Sequence, residues 1–527
     1  MSVLEQLETL FKKGEISRRD FLIRVSALGL TAAISPVLLS STARADVPKK
    51  GGRFRMGLGG GSTTDSLDPA TLPDIVPQII NRQMRNSLVE TDYKGNVVPE
   101  LAQSWGSSPD AVTWTFKLKK GVEFHNGKTL EAEDVIASYN HHRGEKSKSA
   151  AKGLVDPLQE IKADGKDTVV FTLKEGNADF PYIASDYHLT IFPAGTTDFE
   201  KGMGTGPYML VSHEPGVKAF TKKNPNYFKA GRAHFNEVET ITINDINART
   251  NALKTGQIDA MNRCERKTVH LLKKIPDIQV FVTNGTKHYT IPMLTTVKPY
   301  DNNDVRLGLK YLVDREQLIK IVLRGFGYLG NDHPIGKNQR FFDKSLEQRT
   351  YDPDKAKFHL KKAGLEGHTF KLHTSDAAFG GAVDSAVLIK ESAAKAGIDI
   401  EVVKEPSDGY WSNVWMKKPW TFSFWSGRLT SDWMFSVAFA ADAGWNESFW
   451  KNDRFNKLLK EARAELNEAK RREMYGEMLK IVRNDGGVII PMFAADLTAA
   501  SKKIKNEHVA ADWEMDGMRA HERWWFA

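Results

Sequence analysis

Thr369-Phe370-Lys371-Leu372-His373-Thr374, then the apolar-spaced run Val383–Ala396, then Ile398-Asp399-Ile400-Glu401-Val402-Val403, reads as strand, helix, strand. Period-two alternation marks the flanking segments and helical spacing the middle one. A βαβ unit needs a sheet to join. It follows a change of texture around Leu294–Asp304, so it predicts a second lobe with its own sheet. On its N-terminal side, Val305 to Gly325 reads as one long helix, with Val305, Leu309, Leu312, Val313, Ile319 and Val322 on one face. Asp352 to Ala363 is a further helix, stopped by Gly364. On its C-terminal side, Phe455–Val482 is mostly helical with charge facing outward, and Val488-Ile489-Ile490-Pro491 ends it as a short apolar strand.

The first half shows the same alternation of strands and helices. Residues 52–58 alternate as a strand and run into Gly59-Gly60-Gly61-Ser62-Thr63-Thr64. Glycines after a strand allow a tight turn and a close backbone approach to a ligand. The run lacks the Gly-Lys-Ser/Thr ending of a P-loop, so a ligand-facing loop and a plain turn both stand. Val112–Leu118 is a strand, Leu130–His141 a helix with acidic residues early, and Leu158–Ala163 and Thr168–Leu173 a strand pair joined by Asp164-Gly165. Tyr208–His213 and Val238–Ile243 are further strands, and Ile258-Asp259-Ala260 a short buried one. Such alternation predicts a mixed α/β architecture.

The chain has 527 residues, 41% hydrophobic and 27% charged, with a net charge of +8. Ser17-Arg18-Arg19-Asp20-Phe21-Leu22 opens an apolar run that is interrupted by Arg24 and Pro36, and Ala43-Arg44-Ala45 offers a small-x-small cleavage pattern. That makes residues 1–45 a cleaved export signal rather than a membrane anchor. Its arginine pair resembles the twin-arginine signal of bacteria. The mature chain then begins at Asp46, outside the inner membrane. About 480 residues remain, more than one ordinary core organises. The signal holds six Lys/Arg against four Asp/Glu, so most of the positive charge is mature. The cations are scattered among carboxylates rather than gathered in a stripe, which argues against a nucleic-acid partner. Cys264 is the single cysteine, so no internal disulfide forms.

Several motifs occur in an order met elsewhere. They are Val97–Trp105, Trp114–Gly127, Glu133-Asp134-Val135, Gly204-Thr205-Gly206-Pro207-Tyr208, Asn224-Pro225-Asn226-Tyr227, Val305-Arg306 with Asp314-Arg315-Glu316, and Tyr351–Ala356. From about residue 50 to the C-terminus the chain resembles the large extracellular solute-binding proteins of bacterial ABC importers, which carry dipeptides, oligopeptides, nickel chelates and opines. The resemblance implies an α/β, two-lobed periplasmic binding protein (type II, large variant) with an extra subdomain in lobe one. Lobe one would span 46–295 plus 503–527, its subdomain about 92–207, and lobe two 296–502. It also implies a monomer that holds a small-molecule ligand between its lobes and hands it to an ABC permease with its ATPase. No catalytic residue, cofactor or protein-ligated metal is expected.

Candidate ligand contacts concentrate between Asp408 and Trp450. Tyr410, Trp411, Trp425 and Trp445 offer rigid aromatic area. Arg428 can clamp a carboxylate or phosphate bidentately, and Asp432 can meet an ammonium. In the resembled family a Trp at a strand end with an Asp several residues on contributes to the pocket, as Trp425 and Asp432 do here. The usual Asp-Pro is Asp432-Trp433 in this chain, which departs from the dipeptide amine contact. Gly60, Gly61, Ser62 and Thr63 would face the cleft from the other lobe. His141-His142 point about 100° apart on a helix, poorly set to share an ion. An exported hydrolase is disfavoured, since neither a Gly-x-Ser-x-Gly elbow nor a His-Glu-x-x-His zinc site occurs. A sensor or chaperone role for the same binding scaffold stays open at this stage.

Overall fold

The computed structural model describes residues 48–527, and the twin-arginine-type signal expected over 1–45 lies outside the described residues. Lys50–Phe526 pack as one unit. Two large sheets organise it. The first has seven strands in the order Ile278–Thr283, Asp496–Ser501, Ala260–Met261, Arg53–Leu58, Glu237–Thr242, Lys218–Lys223, Tyr208–Glu214. Arg53–Leu58 runs parallel to both its neighbours, and Phe54, Met56 and Leu58 are fully buried on its inner face. Arg55 projects from the same strand and donates from Nε and Nη2 to the two oxygens of Asp259, at 3.0 and 2.8 Å. Against this sheet lies the helix Ile75–Met84, with all ten residues buried. Its polar residues Gln78, Asn81, Arg82 and Gln83 are buried along with its apolar ones.

Gly204 and Gly206 show why the Gly-Thr-Gly-Pro-Tyr motif is glycine-rich. A Cβ at either would run into the backbone of Met84, where this helix ends. The motif therefore lets the chain pass close under the helix terminus before entering the strand at Tyr208. Beside the sheet, a four-stranded antiparallel sheet of Ala102–Ser107, Thr113–Leu118, Thr168–Leu173 and Leu158–Ala163 carries its own core of Trp114, Phe116, Phe171 and Phe180. The helix Ala132–Asn140 lies on it, with Glu133 and Asp134 in its first turn where the helix dipole favours acidic residues.

The second large sheet is antiparallel, in the order Gly327–Leu329, Val488–Ala494, His288–Pro292, Ser423–Trp425. Every residue of Val488–Ala494 is buried. Ile489 and Met492 enter one core while Ile490 and Phe493 enter another on the opposite face, so a strand covered on both sides reads as an unbroken apolar run. The βαβ unit forms as the sequence predicts, with Thr369–Thr374 parallel to Asp399–Lys404 and the helix Ala382–Lys395 between them.

Two long helices are each divided by a side-chain cap. The expected Val305–Gly325 helix is Asn303–Tyr311 followed by Arg315–Ile321, because the Asp314 carboxylate accepts the N–H of Gln317 at 2.9 Å and starts a new helix. Phe455–Val482 likewise becomes Asp453–Ala464 and Glu468–Asp485, with Asn467 capping the second. The chain passes between the two large sheets at residues 284–287 and again at Ala495, since His288–Pro292 already belongs to the second sheet and Asp496–Ser501 to the first. Those crossings precede the positions expected at 295 and 502. The strand Asp496–Ser501, not recognised in the sequence, accounts for the second displacement.

One buried ionic cluster ties the C-terminal segment to the first half. Glu90, Glu100 and Glu522 converge on the Lys229 ammonium at 3.0, 2.7 and 3.1 Å. Arg519 pairs with the same three, Nε with Glu90 at 3.1 Å and Nη1 with Glu100 and Glu522 at 2.8 Å each. Burial raises the Glu100 pKa, but Arg519 and Lys229 outweigh it and bring it down to about 2. Three carboxylates this close have the spacing of a metal site. The ammonium of Lys229 occupies the position a metal ion would take.

Candidate ligand-binding cleft

A cavity of about 1000 Å³ opens among the helices and loops that flank the two large sheets. Its lining includes Thr286 and Lys287 from the first crossing segment and Asp496, the residue that follows the second. Asp74, the N-cap of the buried helix, stands on one wall with Arg263, Tyr187 and the segment 511–514. Residues 426–433, Trp445 and Arg463 stand opposite.

Arg428 is the central feature of that second wall. Its guanidinium lies 5.4 Å from the Trp425 ring centroid and 5.5 Å from that of Trp433, and Nη1 donates to the carbonyl of Gly427 at 2.7 Å. Among the described residues it has no carboxylate partner. Burial lowers its pKa and the neighbouring Tyr187 and Asp186 raise it. A guanidinium has five N–H donors, so most of this one remains for a ligand. Gly427 makes the placement possible. Its φ is +82°, and a Cβ there would strike Thr286 Oγ1 across the crossing segment.

Asp432 also lines the cavity, but its carboxylate is already engaged. It accepts from Arg463 Nε at 3.0 and 3.2 Å. Burial pushes its pKa up to about 6 against the pull of Arg463. It stands in the first turn of the helix Ser431–Ala438, which begins where the Thr430 hydroxyl accepts the N–H of Trp433 at 3.1 Å. A free carboxylate awaiting an ammonium, as expected from the sequence, is therefore not what the fold presents.

Of the ten expected contacts, Arg428, Asp432 and Trp445 line the cavity and the others do not. Trp445 is half exposed and packs at 5.8 Å from Trp425. Trp425 itself is buried, because the strand Ser423–Trp425 turns it into the core beneath the wall, where it supports Arg428 and Trp445. Tyr410 belongs to the core on the other face of the sheet and donates its hydroxyl to the Phe422 carbonyl at 2.8 Å. Trp411 is exposed and packs on Trp415 and Phe424 away from the cavity. Glu447, buried among these tryptophans, accepts from Trp415 Nε1 at 2.7 Å and Thr290 Oγ1 at 3.0 Å.

The loop of Gly60, Gly61, Ser62 and Thr63 is tied down beside the cleft instead of facing it. Asn244 Oδ1 accepts the N–H of Gly60 at 2.9 Å, and Asp65 accepts that of Ser62 at 2.8 Å. A Cβ at Gly60 would meet the Asp74 carboxylate and Arg263. The loop thus buttresses the wall where Arg263 bridges Asp74 at 2.6 Å and Glu514 at 2.8 Å.

The segment 511–518 is the part of the site that sequence reasoning missed. The Asp512 carboxylate faces the cavity without an ion pair among the described residues, and burial, aided by Asp92, pushes its pKa up to about 6. Trp513 has φ +66° and sets its ring edge-on to Tyr187 at 5.3 Å. Met515, Asp516 and Met518 also have positive φ. Each such non-glycine residue costs about 1–2 kcal/mol. Asp516 holds the turn by accepting from the Ala510 N–H at 2.7 Å and Trp524 Nε1 at 3.0 Å. Ala-Asp-Trp-Glu carries no periodicity or motif, so nothing in it announces a strained wall. Cys264 is buried, and burial drives its thiol up to about 12, which makes it inert. His141 and His142 turn to separate partners, Asp68 at 2.6 Å and Ser149 at 2.7 Å.

Residues 96–447 match the family described as bacterial extracellular solute-binding proteins, family 5 middle. The chain belongs to that family. The glutathione-binding protein GsiB of Pectobacterium atrosepticum is 26% identical over 471 residues, 86% of this chain and 91% of the relative. The structure of AgaA with agropinic acid from A. tumefaciens R10 superimposes with a TM-score of 0.73 at 22% identity, covering 90% of this chain and 99% of that one. NikZ of Campylobacter jejuni with Ni(L-His) gives 0.73 at 20% identity, covering 90% and 99%. This family 5 protein therefore has the two-lobed α/β fold of periplasmic binding proteins. The family is described as extracellular solute-binding proteins, and the relatives are binding proteins rather than enzymes. One of those ligands is a peptide, one an opine and one a metal chelate, so the fold does not choose the solute.

Proposed function

We propose that this chain captures a small carboxylate-bearing solute, peptide-like, opine-like or a chelate, in the cleft between its lobes and delivers it to the permease of an ABC importer. In this reading the lobes are 50–283 with 496–526, and 288–494. The protein works as a periplasmic monomer, exported by the twin-arginine route that the Arg18-Arg19 signal suggests. The observation that carries the reading is Arg428, a cation without an ion pair among the described residues, steadied between two indoles over a cavity of about 1000 Å³. That volume lies at the upper end of small-molecule sites. A carboxylate would complete the guanidinium's empty donors, while Trp445 and Trp513 cover the body of the solute. Asp512, like Asp156 and Asp496, lines the cavity without an ion pair among the described residues and, unlike the Arg463-bound Asp432, is left to receive a cationic group.

Closure of the lobes on the crossing segments would bring the two walls together, and only differential contacts with the ligand can favour the closed form. A thermal-shift screen of small peptides, opines and metal chelates tests the reading, since a ligand of the folded state raises its melting temperature. Stabilisation by a carboxylate ligand, lost when that carboxylate is amidated, is the expected result. A screen in which amides stabilise as well as acids would overturn the role given to Arg428.

A further inference from the structure

Beside the cleft lies a second cavity of about 410 Å³, which shares Asp179, Leu429, Thr430 and Asp512 with the first. Its lining includes five cations, Lys94, Lys337, Arg340, Lys344 and Arg472, against the carboxylates of Asp179, Glu468 and Asp512. Two of those carboxylates are already neutralised. Glu468 pairs with Arg340 at 3.0 Å and Arg472 at 3.2 Å, and Asp179 with Arg471 at 2.7 Å. The three lysines make no ion pair among the described residues. Lys94 lies over Tyr93 and Lys337 over Tyr328.

The wall shared with the cleft is the start of the eight-residue helix Ser431–Ala438. The Thr430 hydroxyl takes the N–H of Trp433, and the N–H groups of Ser431 and Asp432 have no acceptor within the helix. Ser431 lines the cavity at 2% exposure, and its hydroxyl has no hydrogen-bond partner among the described residues. A buried donor left empty is unusual. Here it coincides with a helix N-terminus, where backbone dipoles favour negative charge.

We propose that this side cavity is an anion subsite for a carboxylate or phosphate group, with Ser431 Oγ and the helix N-terminus as donors and Lys94, Lys337 and Lys344 as counter-charges. It goes beyond the cleft reading, because it rests on its own lining and not on Arg428. A solute long enough to reach from Arg428 past Thr430 would place a second anionic group there. Asp512, at the junction, opposes an anion while it is ionised.

Calorimetric titration of the mature chain with pyrophosphate and with citrate, at about 50 and about 200 mM salt, tests the subsite. At least one anion should bind with one-to-one stoichiometry and more weakly at the higher salt. Pyrophosphate alone would assign phosphate, and citrate alone a carboxylate. Ser431→Ala should weaken binding about tenfold, the loss of one charge-assisted hydrogen bond. The combined K94A/K337A/K344A change, on exposed side chains, should weaken it at least as much. Asp512→Asn should tighten it. No binding by either anion up to about 10 mM, affinities unmoved by these variants, or loss of binding on Arg428→Ala instead would overturn the assignment. Failure of the peptide, opine and chelate screen would leave this result untouched, so the two readings fail separately.

Discussion

Arg428→Ala is the perturbation that bears most directly on the cleft. In the folded chain the guanidinium has one hydrogen bond, to the Gly427 carbonyl, and two aromatic rings about it. No carboxylate among the described residues loses a partner when it is removed, so the variant stays folded. The ring contacts contribute about 0.5–1 kcal/mol each. The effect on binding is larger. A hydrogen bond to a charged group is worth about 1.5–3 kcal/mol, and the free edge of a guanidinium offers a ligand carboxylate at least one. The dissociation constant for a carboxylate ligand from the stability screen should rise about 10- to 150-fold. Arg428→Lys keeps the charge but not the planar fork, and should fall between. Isothermal titration of the three proteins with that ligand, alongside circular dichroism, separates binding from folding. An alanine variant that binds within about twofold of the parent would refute the placement of the carboxylate on Arg428.

Trp425→Ala removes a buried side chain from the core beneath the wall and should destabilise by about 3–5 kcal/mol in urea unfolding, with weaker ligand binding through the loss of Arg428's platform. Gly427→Ala must adopt φ +82° and press on Thr286, so it should lower stability by about 1–3 kcal/mol and impair binding. Glu100→Gln breaks the buried cluster and should destabilise by about 3 kcal/mol at pH 7, as a buried pair robbed of one partner does. Because the folded pKa of Glu100 lies below its ordinary value, the stability it supplies is complete above about pH 4.5. It is lost as pH falls towards about 2. The gap between parent and variant should therefore narrow at pH 3.5, and a constant gap in denaturant titrations would contradict the electrostatic account.

What the sequence disclosed followed from local rules. The βαβ unit, the hairpin at Asp164-Gly165 and the helix Ala132–Asn140 depend on periodicity and turn chemistry within a few residues, and they form as expected. The caps at Asp314 and Asn467 were present in the sequence too, but continuous apolar spacing on either side concealed them. The tryptophans were harder. Trp425, Tyr410 and Trp411 share one short region, yet one faces a core, one faces the opposite core and one faces solvent. Strand alternation decides this for Trp425, and the register of a three-residue edge strand is not fixed by its own sequence. The engagement of the Asp432 carboxylate has a different origin. Its partner Arg463 lies 31 residues away on another helix. The wall at Asp512-Trp513 depends on left-handed backbone that only tertiary contacts impose.

The treatment of buried cations separates the framework from the site. Lys310 makes no ion pair among the described residues but donates to the carbonyls of Arg483 and Gly486 at 3.0 and 2.8 Å, at the C-terminal end of the helix Glu468–Asp485. Arg85 finds the carbonyls of Leu67, Met203 and Phe199 together with Asn81. Arg519 and Lys229 are surrounded by glutamates. In each case the protein itself supplies what burial takes from the charge, as stability requires. Arg428 is held as firmly in space, by two rings and a glycine turn, yet most of its donors are left unused. Those free donors are not sealed from solvent, and a solute entering the cavity can supply oxygens to them. A proposed binding site differs from a core in that respect, and Arg428 has its free donors on the wall of the cavity.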